Sequence, residues 1–152
     1  MSNDVETVER LMPVPAEKIF ALIADPRRHH EFDGSGTVQQ ANTVPDHLAL
    51  GASFGMDMKI GLFPYKMIST VIEYEENRLL AWQTRPNVAL LGKVIGGRIW
   101  RYELVPQGDG TLVRESWDIS EERVKSAVAP MRSATRKAMT STLERIEKLL
   151  AP

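Results

Sequence analysis

Trp100-Arg101-Tyr102-Glu103-Leu104-Val105-Pro106-Gln107-Gly108-Asp109-Gly110-Thr111-Leu112-Val113-Arg114-Glu115-Ser116-Trp117 is the stretch that decides how this 152-residue chain folds. Two runs rich in β-branched and aromatic residues flank Gln107-Gly108-Asp109-Gly110, a turn sequence. Closing the hairpin there sets Pro106 opposite Thr111, Leu104 opposite Val113, Tyr102 opposite Glu115 and Trp100 opposite Trp117. The other face then pairs Glu103 with Arg114 and Arg101 with Ser116. An opposite-charge pair on one face and an aromatic pair on the other is the pattern of a half-buried hairpin. A slip of one residue would send Trp100 and Trp117 to opposite faces.

The same pattern extends upstream. Strands are expected near 35–44, 52–60, 65–75, 78–85, 97–106 and 111–119, separated by Gly, Pro, Asn and Asp. With Gly61-Leu62-Phe63-Pro64 as a loop, Met58 faces Met67, Met56 faces Ser69 and Phe54 faces Val71. With Glu76-Asn77 at the next turn, Val71 faces Trp82 and Ser69 faces Thr84. One face then carries Phe54, Met56, Met58, Met67, Val71, Leu80 and Trp82, and the other Asp57, Lys59, Lys66, Gln83 and Arg85. Strict alternation also puts Glu73 inside and Ile68, Ile72 and Tyr74 outside, against the grain of the pattern.

Outward from this sheet, residues 4–12 read as a strand ended by Pro13 and Pro15. Apolar residues at 16, 19, 20, 23 and 24 have helical spacing, and Asp25-Pro26 stops that helix. A second short helical turn covers 26–32. After the last strand, Ser120-Glu121-Glu122 resembles a helix start, Pro130 interrupts, and a long helix spans about 130 to 150. The order is strand, two short helices, six strands and one long helix. That is an α+β domain with a seven-stranded antiparallel sheet whose apolar face the long helix must cover. Residues 1–152 form one domain.

The covering helix presents a stripe at Met131, Thr135, Ala138, Thr142, Ile146 and Leu149, flanked by Ala134, Met139, Leu143 and Leu150. Its second half is bulky and its first half slender. Slender side chains over a wide, curved, aromatic wall do not fill the gap at interior density, so either the helix approaches closely there or a cavity remains, and a curved sheet gripping one long helix favours the cavity. Apolar hollows with a few polar groups are the usual form of small-molecule sites.

Composition narrows the function further. Nineteen basic and twenty acidic residues leave a net charge of −1, which does not suit a phosphate-backbone binder; no nucleic-acid partner is expected. Cysteine is absent and three histidines lack metal-ligand spacing, so no disulfide, thiolate, metal or cofactor is expected. No segment has the length of a membrane span and no signal sequence opens the chain, so a cytoplasmic protein without stable membrane insertion is expected, as monomer or homodimer.

Val14-Pro15-Ala16-Glu17-Lys18-Ile19-Phe20-Ala21-Leu22-Ile23-Ala24-Asp25-Pro26, Glu76-Asn77-Arg78-Leu79-Leu80-Ala81-Trp82, and the Trp100 to Trp117 hairpin together resemble the SRPBCC or START-like superfamily, nearest its polyketide cyclase/dehydrase branch. The resemblance runs from about residue 5 to 150. It implies a helix-grip fold: a curved seven-stranded antiparallel sheet around the C-terminal helix, two short helices after strand 1, and a deep apolar cavity. It also implies a partner that is a small hydrophobic molecule such as a lipid or polyketide. Such folds mark function poorly, because carriers and enzymes share them.

Three functions follow as alternatives: a hydrophobic-ligand carrier, a cyclase or dehydratase acting in the same cavity, and an interaction module using the apolar 86–97 loop. The expected ligand-binding set is Phe54, Met56, Met58, Met67, Val71, Trp82, Trp100, Tyr102, Glu115, Trp117, Met131 and Thr135. The tryptophans and methionines also suit plain core packing. Glu115 falls on the inner face opposite Tyr102, with Arg98 on the same face as a partner. A buried carboxylate must be paired or protonated, so Glu115 is either a structural hydrogen-bonded group or a ligand anchor and proton-transfer group. Tyr102, Arg98 and His30 complete the catalytic candidates, with His29 and Asp33 adjoining His30. The basic residues of the last helix are read as its wet side.

Overall fold

A computed structural model describes residues 4–43, 45, 47–86 and 96–152, with the side chains of 40–43 and 60 outside that description. The apolar loop read at 86–97 falls almost wholly on 87–95, outside the described residues. Seven strands run β1 (Val5–Met12), β2 (Val38–Thr43), β3 (Ser53–Ile60), β4 (Phe63–Glu75), β5 (Leu79–Pro86), β6 (Arg98–Gln107) and β7 (Gly110–Asp118). They form one antiparallel sheet in the order β1-β7-β6-β5-β4-β3-β2. Helices α1 (Ala16–Ile23) and α2 (His29–Phe32) follow β1, joined by a 3-10 turn at Pro26–Arg28. Helices α3 (Lys125–Val128) and α4 (Arg132–Leu150) end the chain, with a 3-10 turn at Ala129–Met131 where Pro130 interrupts. The helix-grip architecture is that of a curled sheet around α4.

The deciding hairpin has the register its sequence implies: Trp100 faces Trp117, Tyr102 faces Glu115 and Leu104 faces Val113. On its outer face Arg114 bridges to Glu103 at 3.8 Å and to Glu9 of β1 at 2.6 Å. The β3–β4 hairpin is two residues out of its expected register. Ile60 pairs with Phe63, so Met58 faces Tyr65, Met56 faces Met67 and Phe54 faces Ser69. Gly61, at φ +57, turns the chain in two residues where four were expected, and Phe63 and Pro64 join the strand. A shift of two preserves the faces.

The misfit around Glu73 has a single cause. The β4–β5 ladder slips between Val71 and Glu73, so Ile72 is an extra residue and the alternation reverses beyond it. Glu73 moves to the outer face, where it accepts from Arg101 at 2.7 and 2.8 Å across the small Ala81. Tyr74 moves inward and meets Phe20 edge-on at 5.5 Å. Ile68, before the bulge, stays exposed.

The expected helix start at Ser120 is a turn. Helix α3 begins only at Lys125, because Glu122 is drawn inward, accepting from the Gly96 N–H and pairing with Arg98. The helix α4 buries Met139, Thr142, Leu143 and Ile146, while Leu149 is exposed. Its basic residues are not simply a wet face. Arg132 and Arg136 reach Glu6 of β1, Arg10 reaches Glu147, and the Arg145 guanidinium donates to the Asp33 carbonyl at 2.8 Å.

Gly34 brings the loop after α2 onto α4. Its N–H donates to Thr142 Oγ1 at 2.8 Å, and a Cβ there would lie 2.4 Å from the Ala138 carbonyl oxygen and 2.7 Å from the Thr142 nitrogen. Backbone atoms of a long helix do not yield locally. Gly34→Ala is therefore expected to destabilise the fold by roughly 1–3 kcal/mol, the usual cost of overpacking. Thermal unfolding of the two proteins checks this; equal midpoints would mean that the loop stands off the helix.

Candidate functional site

The hollow lies between the concave sheet, α2, the loop after it and the first half of α4, and has a volume of about 680 Å³. It is there because α4 sets Ala134, Thr135 and Ala138 against it, while the bulkier Leu143 and Ile146 fill the core farther along. Of the residues expected to bind a ligand, Phe54, Met56, Met58, Met67, Trp82, Trp100, Tyr102, Glu115, Met131 and Thr135 line it. Val71 and Trp117 do not: both are buried in core packing behind the wall. Met131 sits at the rim, 40% exposed.

Glu115 lies across the ladder from Tyr102 and is 4% exposed. Burial pushes its carboxyl up to about 8, opposed by a hydrogen bond from Tyr102 and reinforced by the charge of Asp33. Burial and the adjacent Glu115 push the Tyr102 phenol well above its ordinary value. At neutral pH both groups are therefore uncharged. Glu115 Oε1 has no hydrogen-bond partner among the described residues. The expected partner Arg98 lines the cavity but is engaged elsewhere, with its Nε 3.6 Å from Oε2 of the fully buried Glu122.

His30 is exposed and does not line the cavity; its neighbour His29 does. The His29 Nε2–H donates to the Ile23 carbonyl at 2.9 Å, satisfying an end carbonyl of α1. The ring stacks on Trp82 at 5.1 Å and meets Phe54 edge-on. Burial pulls its pKa down to about 4, so it is neutral with Nδ1 left as an acceptor. Helical geometry across 26–32 separates the two adjacent histidines, which sequence spacing alone does not rank.

Sequence reasoning also left out Tyr65, Ser69 and Thr84, which line the cavity. The missing signal for Tyr65 was the turn length: a two-residue turn at Gly61-Leu62 places it opposite Met58. Ser69 and Thr84 were paired in the register, and their hydroxyls lie 2.9 Å apart, each satisfying the other within the apolar wall. Asp33, half-buried in the lining, accepts from the Ser35 hydroxyl and the Gly36 N–H. Among the described residues no cluster of three His, Asp or Glu side chains is arranged to hold a metal ion, and no helix is long and apolar enough to cross a membrane.

A mostly apolar hollow held between a curled sheet and a long helix defines a START-like, helix-grip fold. The chain belongs to the family described as polyketide cyclase / dehydrase and lipid transport, whose model matches residues 5–151. Its fold is similar to that of protein CV1439 from Chromobacterium violaceum (TM-score 0.76, 13% identity, 99% of each chain covered). It is also similar to ginseng major latex-like protein 151 from Panax ginseng (TM-score 0.72, 12% identity, 97% of each chain covered). Over 68 residues it is 46% identical to the uncharacterised protein Rv0088 of Mycobacterium tuberculosis, covering 45% of this chain. That match spans 30% of the length of Rv0088.

The buried pair makes stability depend on pH in a defined sense. An unfolded glutamate ionises near 4.5, whereas folded Glu115 keeps its proton to about 8. The folded state binds the extra proton across that interval, so this group lowers stability as pH rises through it. His29 acts oppositely: its contribution is present above 6.5 and is lost as pH falls towards about 4. Between pH 6.5 and 8 Glu115 thus acts without His29. Urea unfolding of the wild type should show declining stability across that window, and Glu115→Gln should remove the decline. A slope unaffected by the substitution would mean that Glu115 is solvated and charged.

Proposed function

We propose that this protein binds a small, largely apolar molecule in the cavity between the sheet and α4, as a carrier or sensor. The observation that carries this reading is the hollow of about 680 Å³, the size of a small-molecule site. Its walls are Trp, Phe and Met side chains, and the flexible thioethers of Met56, Met58 and Met67 adapt to ligands of different shape. The family description supports a lipid or polyketide-like ligand.

The enzymatic alternative is less well supported by the arrangement of the polar groups. Proton-transfer chemistry needs an acid and a base close to a common reacting atom. Glu115 and Tyr102 supply acids. The neutral His29, with a pKa near 4, is a weak base and stands beyond Trp82 in the ring stack that runs from His29 through Trp82 to Tyr102. Arg98 is held by Glu122, and His30 faces outward.

Nile red, an uncharged solvatochromic dye, is expected to bind the wild-type protein with a blue-shifted emission. Ala138→Trp places an indole into the hollow from the slender half of α4 and should weaken that binding about tenfold or more, with an unchanged far-ultraviolet circular dichroism spectrum. Equal dye binding by the folded variant would move the site elsewhere on the protein, and absence of binding by the wild type would remove the ligand reading.

A further inference from the structure

The polar groups around the cavity differ in how they are engaged. Asp33, Ser69, Thr84 and the His29 N–H all have partners within the protein. Glu115 Oε1 does not, among the described residues, although Glu115 is more than nine-tenths buried and lines the cavity. Tyr102 donates to the carboxyl. A protonated carboxyl that accepts on one oxygen keeps its own O–H to donate from the other. The unpartnered oxygen is thus a donor with no acceptor among the described residues.

The surroundings also select the charge of what receives it. Arg98 lies four positions along β6 from Tyr102, with its Nε 3.6 Å from Oε2 of Glu122 and no hydrogen bond between the two atoms. His29 is neutral, and Lys137, the remaining basic side chain of the lining, is exposed on α4. On β1, Val8 lies opposite Glu115, and its inner-face neighbours Glu6 and Arg10 are paired with Arg132, Arg136 and Glu147 of α4. Helix α4 contributes the uncharged Met139 and Thr142 to the lining. Asp33, after α2, adds negative potential at Glu115. Among the described residues, a carboxylate brought to this end would meet a second negative charge, while the inner-face cation nearest by register, Arg10, is paired with Glu147.

We propose that the ligand carries, at the end that meets Glu115, an uncharged oxygen acceptor of the ketone, ester or ether kind, that Glu115 receives it with its carboxyl O–H, and that the same group disfavours a carboxylate there. This rests on the cavity being the ligand site. Its consequence is that Glu115 sets specificity through its proton, so recognition of an acceptor-only head is lost as Glu115 ionises. Tyr102 keeps its proton well past that point, which leaves Glu115 as the member of the pair that changes.

The test is displacement of Nile red from the full chain by three sixteen-carbon molecules: the methyl ketone, the fatty acid and the alkane. At neutral pH the ketone is expected to displace the dye about tenfold more effectively than the other two, the value of one well-placed hydrogen bond. Between pH 7 and pH 9 its advantage should fall about tenfold, following the protonated fraction of a carboxyl with a pKa near 8. Glu115→Gln retains an N–H donor and should keep the ketone preference while losing its pH dependence; Glu115→Leu should abolish the preference. Fatty acid displacing as well as ketone, a pH-independent preference, or a preference surviving in Glu115→Leu overturns the proposal. Equal displacement by all three chains leaves the cavity reading standing and overturns only the claim about the ligand's head. Failure of the dye and of every chain to bind overturns both.

Discussion

A helix that is thick at one end and thin at the other, laid across a concave aromatic sheet, is the constraint on which the rest of the molecule depends. Leu143 and Ile146 close the core under the second half of α4, and Ala134, Thr135 and Ala138 leave it open under the first. Unfilled apolar space forgoes dispersion contacts. The helix is therefore secured by other means: the Gly34 contact on one flank and the ion pairs of Glu6, Arg10 and Glu147 along β1 on the other. These contacts hold α4 over the sheet without requiring the intervening space to be packed.

The second consequence is electrostatic. The ladder that pairs Tyr102 with Glu115 places a carboxyl on the wall of the hollow, where burial favours its neutral form. Arg98 does not neutralise it, because the turn after β7 brings in Glu122, whose fully buried side chain pairs with that guanidinium at 3.6 Å. One buried acid is thus charge-compensated and the other is left protonated. The same tertiary detail gives the cavity an uncharged hydrogen-bonding end.

The β4 bulge shows how a local irregularity serves the sheet as a whole. An extra residue at Ile72 lets Met67, Ser69 and Val71 face inward before it and Tyr74 face inward after it. It also delivers Glu73 to the outer face, where Arg101 connects it with Asp118, spanning the sheet from β4 to β7. Bulges of this kind increase local twist, which suits a sheet that must curl around a helix.

The strand order, the hairpin register from Trp100 to Trp117 and the uneven girth of the last helix are legible along the chain, because side-chain alternation and helical spacing are local properties written into consecutive residues. The sequence also placed Glu115 opposite Tyr102 among the inward aromatics. The two-residue turn at Gly61, the bulge at Ile72, the choice of His29 over His30 and the pairing of Arg98 with Glu122 emerge with the folded sheet. Each depends on a partner distant in the chain: a bulge on the neighbouring strand, a ring orientation on the wall it stacks against, an ion pair on the turn that folds back to meet it. No pattern confined to one segment encodes which of several reachable partners will be nearest once the sheet has curled.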